Sequence, residues 1–357
     1  MANDISTSLI EQVNNAIENK SPLVISGGGS KAFYGNRVEG EALSTAEHAG
    51  IIEYQPSELV VTLRSGTRLS ELEAELAAKN QMLAFEPPQH NENTTIGGVI
   101  ACGLSGPRRV ACGAARDFVL GATIINGRGE KLRFGGQVMK NVAGYDAARL
   151  MTGAQGTLGV LLDISLKVLP LNETEVSLRF QTHLDDAVNS LRRWVKSGLP
   201  LTASCYVDNS LYLRIGSTRS AVKKAVAEVG KLHPAEEIDN AFWHEIKNQT
   251  HPFFHHGEHL WRCSHQSTTP FYGNTSKQLI EWHGALRWIA DPKTGGTSLH
   301  TTAAEQGGHA TRYPLGQAPQ ENIFQPLPDA MLKLHQNLKH AFDPDALLNP
   351  GRLYTNL

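Results

Sequence analysis

What the chain lacks removes several classes of function at once. Cysteine is scarce: Cys102, Cys112, Cys205 and Cys263 are scattered, with no Cys-x-x-Cys pair. That pattern fits reduced thiols in the cytosol and supplies no zinc or iron–sulfur ligand set. No run of Lys and Arg exceeds two residues, and 33 Lys+Arg against 35 Asp+Glu leave a formal net charge of −2. A nucleic-acid partner, which needs a basic face, is therefore not expected. No apolar stretch approaches the ~20 residues of a membrane span. The stretch from Met1 to Asn19 is polar and amphipathic, without the apolar centre of a signal peptide. A cytoplasmic protein is expected. Hydrophobic residues make up 40% of the chain, too many for disorder. The 357 residues imply two domains or three.

Glycine is what the chain has in excess: 33 of 357 residues, about 9% against a usual ~7%. The placement matters more than the number. Apolar spacing predicts a helix over Ile5–Ile17, then a short strand at Leu23–Ile25 that runs into Gly27-Gly28-Gly29-Ser30-Lys31. Strands are expected at Ile51–Tyr54, Leu59–Leu63, Val119–Asn126 and Leu158–Leu169, and a helix at Thr67–Lys79. Thr95–Gly106 reads only as a Gly/Ala-rich stretch. Composition changes at Pro170. A βαββα order follows: strand Val176–Gln181, helix Asp185–Lys196, strands Ser204–Asp208 and Leu211–Ile215, helix Arg219–Leu232. A last amphipathic helix, Met331–Phe342, precedes a turn-rich tail. These elements divide the chain into residues 1–172, a smaller 173–330 domain, and a 331–357 tail returning to the first.

Gly27–Ala32 formally matches Gly-x-Gly-x-x-Ala, the fingerprint of a Rossmann turn. Its context fails, because no helical period follows Ala32 and no βαβ unit surrounds it. A P-loop fails too, for want of Gly-Lys-Ser/Thr. Two readings of the loop stay open: a plain surface turn, or a nest of backbone N–H groups for an anion. Two further clusters favour the second. One is Thr94-Thr95-Ile96-Gly97-Gly98-Val99-Ile100-Ala101-Cys102-Gly103; the other is Gly135–Asp146 running into Gly153-Ala154-Gln155-Gly156-Thr157-Leu158-Gly159. Backbone nearly free of side chains at three separate points suits close approach to a large flat ligand.

In this order the three clusters resemble the FAD-binding domain of the vanillyl-alcohol oxidase/p-cresol methylhydroxylase type. Gly-Gly-Gln-Val-Met-Lys-Asn-Val-Ala-Gly-Tyr-Asp, with Asn349-Pro350-Gly351-Arg352, is similar to the family of FAD-binding E subunits of bacterial glycolate oxidases. The resemblance implies an α+β protein: a two-subdomain FAD-binding domain and a smaller α+β C-terminal domain. It implies FAD held by Gly27, Gly28, Gly29, Ser30 and Lys31 through backbone amides on the pyrophosphate. Thr95, Gly97, Gly98, Ala101 and Gly103 would line the diphosphate and flavin side, and Gly156, Thr157, Gly159 and Val160 would pack beside the cofactor. Asp117 is expected to hold the fold. Ser30-Lys31 and Thr94-Thr95 stand where some relatives tether the flavin, so the FAD is expected to be non-covalent.

The same resemblance implies glycolate, or D-lactate, as the 2-hydroxy acid substrate. It implies a catalytic FAD-bearing partner of the D type and an iron–sulfur partner, with peripheral membrane association through that complex. The His-x-Gly-Asp-Gly-Asn-x-His and Glu-His-Gly stretches of D-type enzymes are missing, so no catalytic residue is assigned. The candidates are His309 with Arg312, and Tyr145; structural roles for them stay open. Ten of fifteen histidines lie between His233 and His309, but Pro252 and Gly257 break the His251, His255, His256, His259 pattern, and no metal site is expected. Two other functions stay open: a self-sufficient FAD oxidoreductase, and a structural subunit whose FAD cleft is empty.

Overall fold

The computed structural model describes residues 3–136, 146–232, 234–255, 260–271, 277–290, 297–318, 320 and 322–357. The chain forms two compact units. The first comprises Met1–Leu104, Ala114–Pro170 and Gly316–Leu357; the second comprises Ser105–Gly113 and Leu171–Leu315. Residues 105–113 thus belong with the second unit and 316–330 with the first.

The first unit is built on a five-stranded antiparallel sheet. Its order is Ile51–Gln55, Val60–Arg64, Val160–Lys167, Val119–Ile125, Lys131–Gly135. A separate parallel pair, Leu23–Ser26 with Glu41–Ser44, lies in the same unit. The first helix runs Ser6–Asn19, with Leu9, Val13 and Ala16 on its buried face at helical spacing. It stops at Lys20, which takes a left-handed conformation (φ 52°), just ahead of Pro22. That face packs with Leu23, Leu43, Ile125, Val160, Leu162 and Leu348 into one core. Leu348 comes from the far end of the chain, so the tail is part of this core.

The second unit is one eight-stranded antiparallel sheet. Its order is Glu236–Ile238, Thr174–Gln181, Ser210–Ser217, Leu201–Val207, Lys277–Glu281, Leu286–Ala290, Leu260–Ser264, His309–Arg312. Helices Leu184–Lys196 and Arg219–Gly230 cover part of it through Leu191, Trp194, Val222, Ala225 and Val229. The expected βαββα run is present, and the architecture is α+β.

The structure differs from the sequence pattern in several elements. Thr95–Gly106 contains a helix, Ile96–Cys102, whose start is capped by the Thr95 hydroxyl accepting from the Gly98 N–H at 3.3 Å. The long strand over Leu158–Leu169 is two: Val160–Lys167, then Leu169–Pro170, which pairs instead with Gln81–Met82. Lys131–Gly135, Lys277–Glu281 and the helix Thr297–Glu305 are additional to the expected elements.

Candidate cofactor-binding site

A cleft of about 240 Å³, open to solvent, lies in the first unit. Its floor begins where strand Leu23–Ser26 ends. Thr45 N–H donates to the Ser26 carbonyl at 2.8 Å and fixes that end. The chain then turns through Gly27–Lys31, all five of which line the cleft. Among the described residues none of these five N–H groups donates to protein. A row of open backbone donors lining a cleft is suited to an anion. A Cβ on Gly28 would lie 1.4 Å from the Asn93 carbonyl oxygen, which leaves room for glycine alone.

Lys31 supplies more than its amide. The residue is 6% exposed, lines the cleft, and its Nζ has no hydrogen-bond partner among the described residues. Burial pulls its pKa from 10.5 to about 8. The half-buried His90 nearby is pushed down to about 3, first by burial and then by the Lys31 charge, so it adds no cation. Burial raises the Cys102 thiol, against the opposing pull of Lys31 and Arg352. Gln155 brings a second buried donor without a partner among the described residues, its Nε2.

Thr95, Gly97, Gly98 and Ala101 line the cleft, yet the amides from Ile96 to Gly98 are not spare. Ile96 N–H donates to Thr67 O at 2.9 Å, Gly97 N–H to Ser65 O at 2.7 Å, and Gly98 N–H to the Thr95 hydroxyl. This segment offers a close, flat wall rather than donors. Gly156 and Gly159 also line the cleft; Gly103, Thr157 and Val160 do not. Gly103 ends the Ile96–Cys102 helix at φ 64°. The Thr157 hydroxyl donates to Ala154 O at 2.7 Å, and Val160 is wholly buried in the core.

The tail completes the cleft. Asn349 accepts from Ile25 N–H at 2.8 Å and donates to Gln155 O at 2.7 Å. Arg352 donates to the carbonyls of Ala32 (2.8 Å), Tyr34 (3.1 Å) and Asn36 (2.8 Å), and to Gln155 Oε1 (3.1 Å). One guanidinium thereby ties the segment after the glycine loop to Gln155. The Asn349-Pro350-Gly351-Arg352 motif is the sequence signal for these two residues. Behind the tail, Lys339 donates to Asp343 Oδ2 (2.7 Å), Thr157 O (2.9 Å) and Leu348 O (2.7 Å), and both partners of this pair are buried. No sequence signal marks that pair.

The other candidates fall elsewhere. Tyr145 lies outside the described residues, as do Lys140, His256 and His259. His309 and Arg312 sit three apart on one strand of the second unit, so strand alternation sends them to opposite faces. Together they form no site. Asp117 accepts from Ala114 N–H at 2.8 Å, a turn-holding contact.

The cleft fits a dinucleotide: open backbone donors and a buried cation for phosphate, beside a flat wall of small residues. The FAD binding domain family matches residues 6–135. Glycolate oxidase subunit GlcE of Escherichia coli (strain K12) is 46% identical over 354 residues, covering 99% of each chain. The chain belongs to this E-subunit family. It is an FAD-dependent oxidoreductase family, and FAD is its cofactor. Glycolate oxidase subunit GlcD of Bacillus subtilis (strain 168) is 29% identical over 62% of this chain and 48% of its own length. A D-lactate dehydrogenase of Anaerostipes hadrus is 33% identical over 45% of this chain and 34% of its own length. Among solved structures, an alkyldihydroxyacetonephosphate synthase matches with a TM-score of 0.67 over 97% of this chain and 75% of its own, at 14% identity. That likeness concerns the fold. No helix among the described residues is long and apolar enough to cross a membrane.

Proposed function

We propose that this chain is the FAD-bearing E subunit of a heteromeric glycolate oxidase. The observation that carries this reading is the 46% identity to the E. coli E subunit along nearly the whole of both chains. FAD, when bound, supplies a two-electron acceptor. The chain's own part is to hold it: Gly27–Lys31 amides and the Lys31 ammonium take the pyrophosphate, and Gln155, also in the lining, donates its Nε2–H. Thr95, Gly97, Gly98, Ala101, Gly156 and Gly159 press close along its length. Thr157 and Val160 support that wall from behind, and Gly103 ends its helix.

In this reading a D-type FAD protein oxidises glycolate, and also D-lactate, to the 2-oxo acid. An iron–sulfur partner passes the electrons on and brings the complex to the cytoplasmic face of the membrane. The missing D-type histidine motifs support this division of labour. Anaerobic addition of glycolate tests it: the flavin of the isolated chain stays oxidised while that of the assembled complex bleaches. Rapid bleaching in the isolated chain would show that this chain turns over glycolate itself.

The FAD is non-covalent. Ser30, Lys31, Thr94 and Thr95 offer no residue of the His or Cys type used to tether a flavin. Acid precipitation is expected to leave all flavin in the supernatant; yellow colour in the washed pellet would contradict the assignment.

A further inference from the structure

The second unit holds a cationic corner whose residues are not among those that line the cleft. On strand Leu260–Ser264, Arg262 stands directly opposite Trp288 on one side and Thr311 on the other. His309 pairs with Ser264, two residues along, so Arg262, Trp288 and His309 share one face of the sheet. Trp261, paired with Arg312, faces the other way into a core with Cys263, Ile289, Ala303 and Ala310. The Arg262 guanidinium lies 5.1 Å from the centre of the Trp282 ring and 5.8 Å from that of Trp288. Arg109 reaches the same Trp282 ring at 4.3 Å.

Both indoles are fixed by their polar ends. Trp282 Nε1 donates to Gly106 O at 3.0 Å and Trp288 Nε1 to the buried Glu281 carboxylate at 2.7 Å. Trp282, His283 and Gly284 are successively left-handed, with φ of 50°, 56° and 98°. Two such conformations in non-glycine residues are strain of the kind that gathers at functional sites. The Arg262 side chain is half-buried and makes no hydrogen bond or ion pair with the described residues. A guanidinium held in place by stacking on indoles, not by a carboxylate, keeps its N–H fork for a ligand.

We propose that Arg262, Arg109 and His309, on the Trp282–Trp288 platform, form a binding site for a small carboxylate of the 2-hydroxy acid class. The planar fork of Arg262 matches a carboxylate in two hydrogen bonds. His309, exposed at the edge of the corner, can then accept from the hydroxyl beside it. Desolvation, followed by the charges of Arg262 and Arg109, lowers the His309 pKa and favours that neutral, accepting form. The existence of an anion site stands on this geometry; the choice of a 2-hydroxy acid rests on the reading given under Proposed function.

Equilibrium titration of the full chain, followed by tryptophan fluorescence, tests the site, with glycolate, acetate and phosphate as probes at constant ionic strength. Glycolate is expected to give a saturable change and to bind more tightly than either comparison anion. Arg262→Met is expected to weaken glycolate by about tenfold or more, and Arg312→Met, on the opposite face, to leave it unchanged. Should Arg262→Met fail to fold, Arg262→Lys carries the test. It keeps the charge, loses the fork, and is expected to bind glycolate several-fold more weakly. Wild-type affinity in the Arg262 variants, an equal loss in Arg312→Met, or tighter binding of phosphate would each overturn the proposal. Flavin content of the same samples separates this from the cofactor reading: a yellow chain that ignores glycolate sinks only the anion site. A colourless chain that binds it sinks only the flavin assignment.

Discussion

Asp343→Ala is expected to lower the unfolding free energy by about 3–5 kcal/mol, the cost of removing one member of a buried ion pair. Asp343 is 1% exposed and Lys339 5%. The carboxylate receives the Lys339 ammonium on Oδ2 at 2.7 Å, Leu348 N–H on the same oxygen at 2.7 Å and Leu347 N–H on Oδ1 at 3.1 Å. Its loss strands a buried cation and two backbone donors together. Lys339→Met is expected to be comparably harmful, because it strands the carboxylate and frees the carbonyls of Thr157 and Leu348. The double variant should cost less than the sum of the two. Urea unfolding of the four proteins measures the coupling. The functional consequence follows from position: the pair anchors the turn that delivers Asn349 and Arg352 to the cleft. Asp343→Ala should therefore retain FAD poorly even at temperatures where it is folded. A variant as stable as wild type would remove the pair from this account.

Lys31→Met is expected to move stability and cofactor affinity in opposite directions. The buried ammonium has no partner among the described residues, so methionine should stabilise the FAD-free chain by about 1–3 kcal/mol. The same change should weaken FAD by about 10- to 100-fold, the worth of a hydrogen bond to a charged group. Few structural lysines would show such opposed effects.

The pH dependence has the same origin. In the FAD-free fold Lys31 titrates at about 8, below its ordinary 10.5. Between these values the unfolded chain holds a proton that the folded chain has released, so this group makes the FAD-free protein more stable as pH rises through that window. A bound phosphate favours the ammonium and restores the proton. FAD affinity should accordingly fall as pH climbs above about 8 in wild type, with no such slope in Lys31→Met. Equilibrium titrations at several pH values check the sign.

The glycine-loop lining of the cleft is legible in the sequence because close backbone approach leaves a mark in composition. Gly27–Gly29, Gly97, Gly98, Gly156 and Gly159 stand where small residues cluster. The helix Ile96–Cys102 is not legible, since seven residues of Ile, Gly, Val, Ala and Cys carry no polar face to set a period; its only clue is Thr95 as a cap. Lys339 and Asp343 read as ordinary surface charges at an i,i+4 spacing. They are buried because the tail folds back over them, a long-range event without a local pattern. For Lys31 the glycine loop points to the amide alone, since a sequence does not say that an ammonium will be sealed beside a cleft. His309 and Arg312 group by proximity along the chain. Once His309–Arg312 is a strand, the period of two separates them, and Arg262, far away in sequence, takes the place beside His309.

Titration of the FAD-free full-length chain with FAD, in parallel with Lys31→Met, tests the central claim most directly. Wild type is expected to saturate at one FAD per chain, and the variant to show a weaker Kd together with a higher unfolding midpoint before FAD is added. No saturable uptake by wild type, or equal affinity in the two proteins, would contradict it.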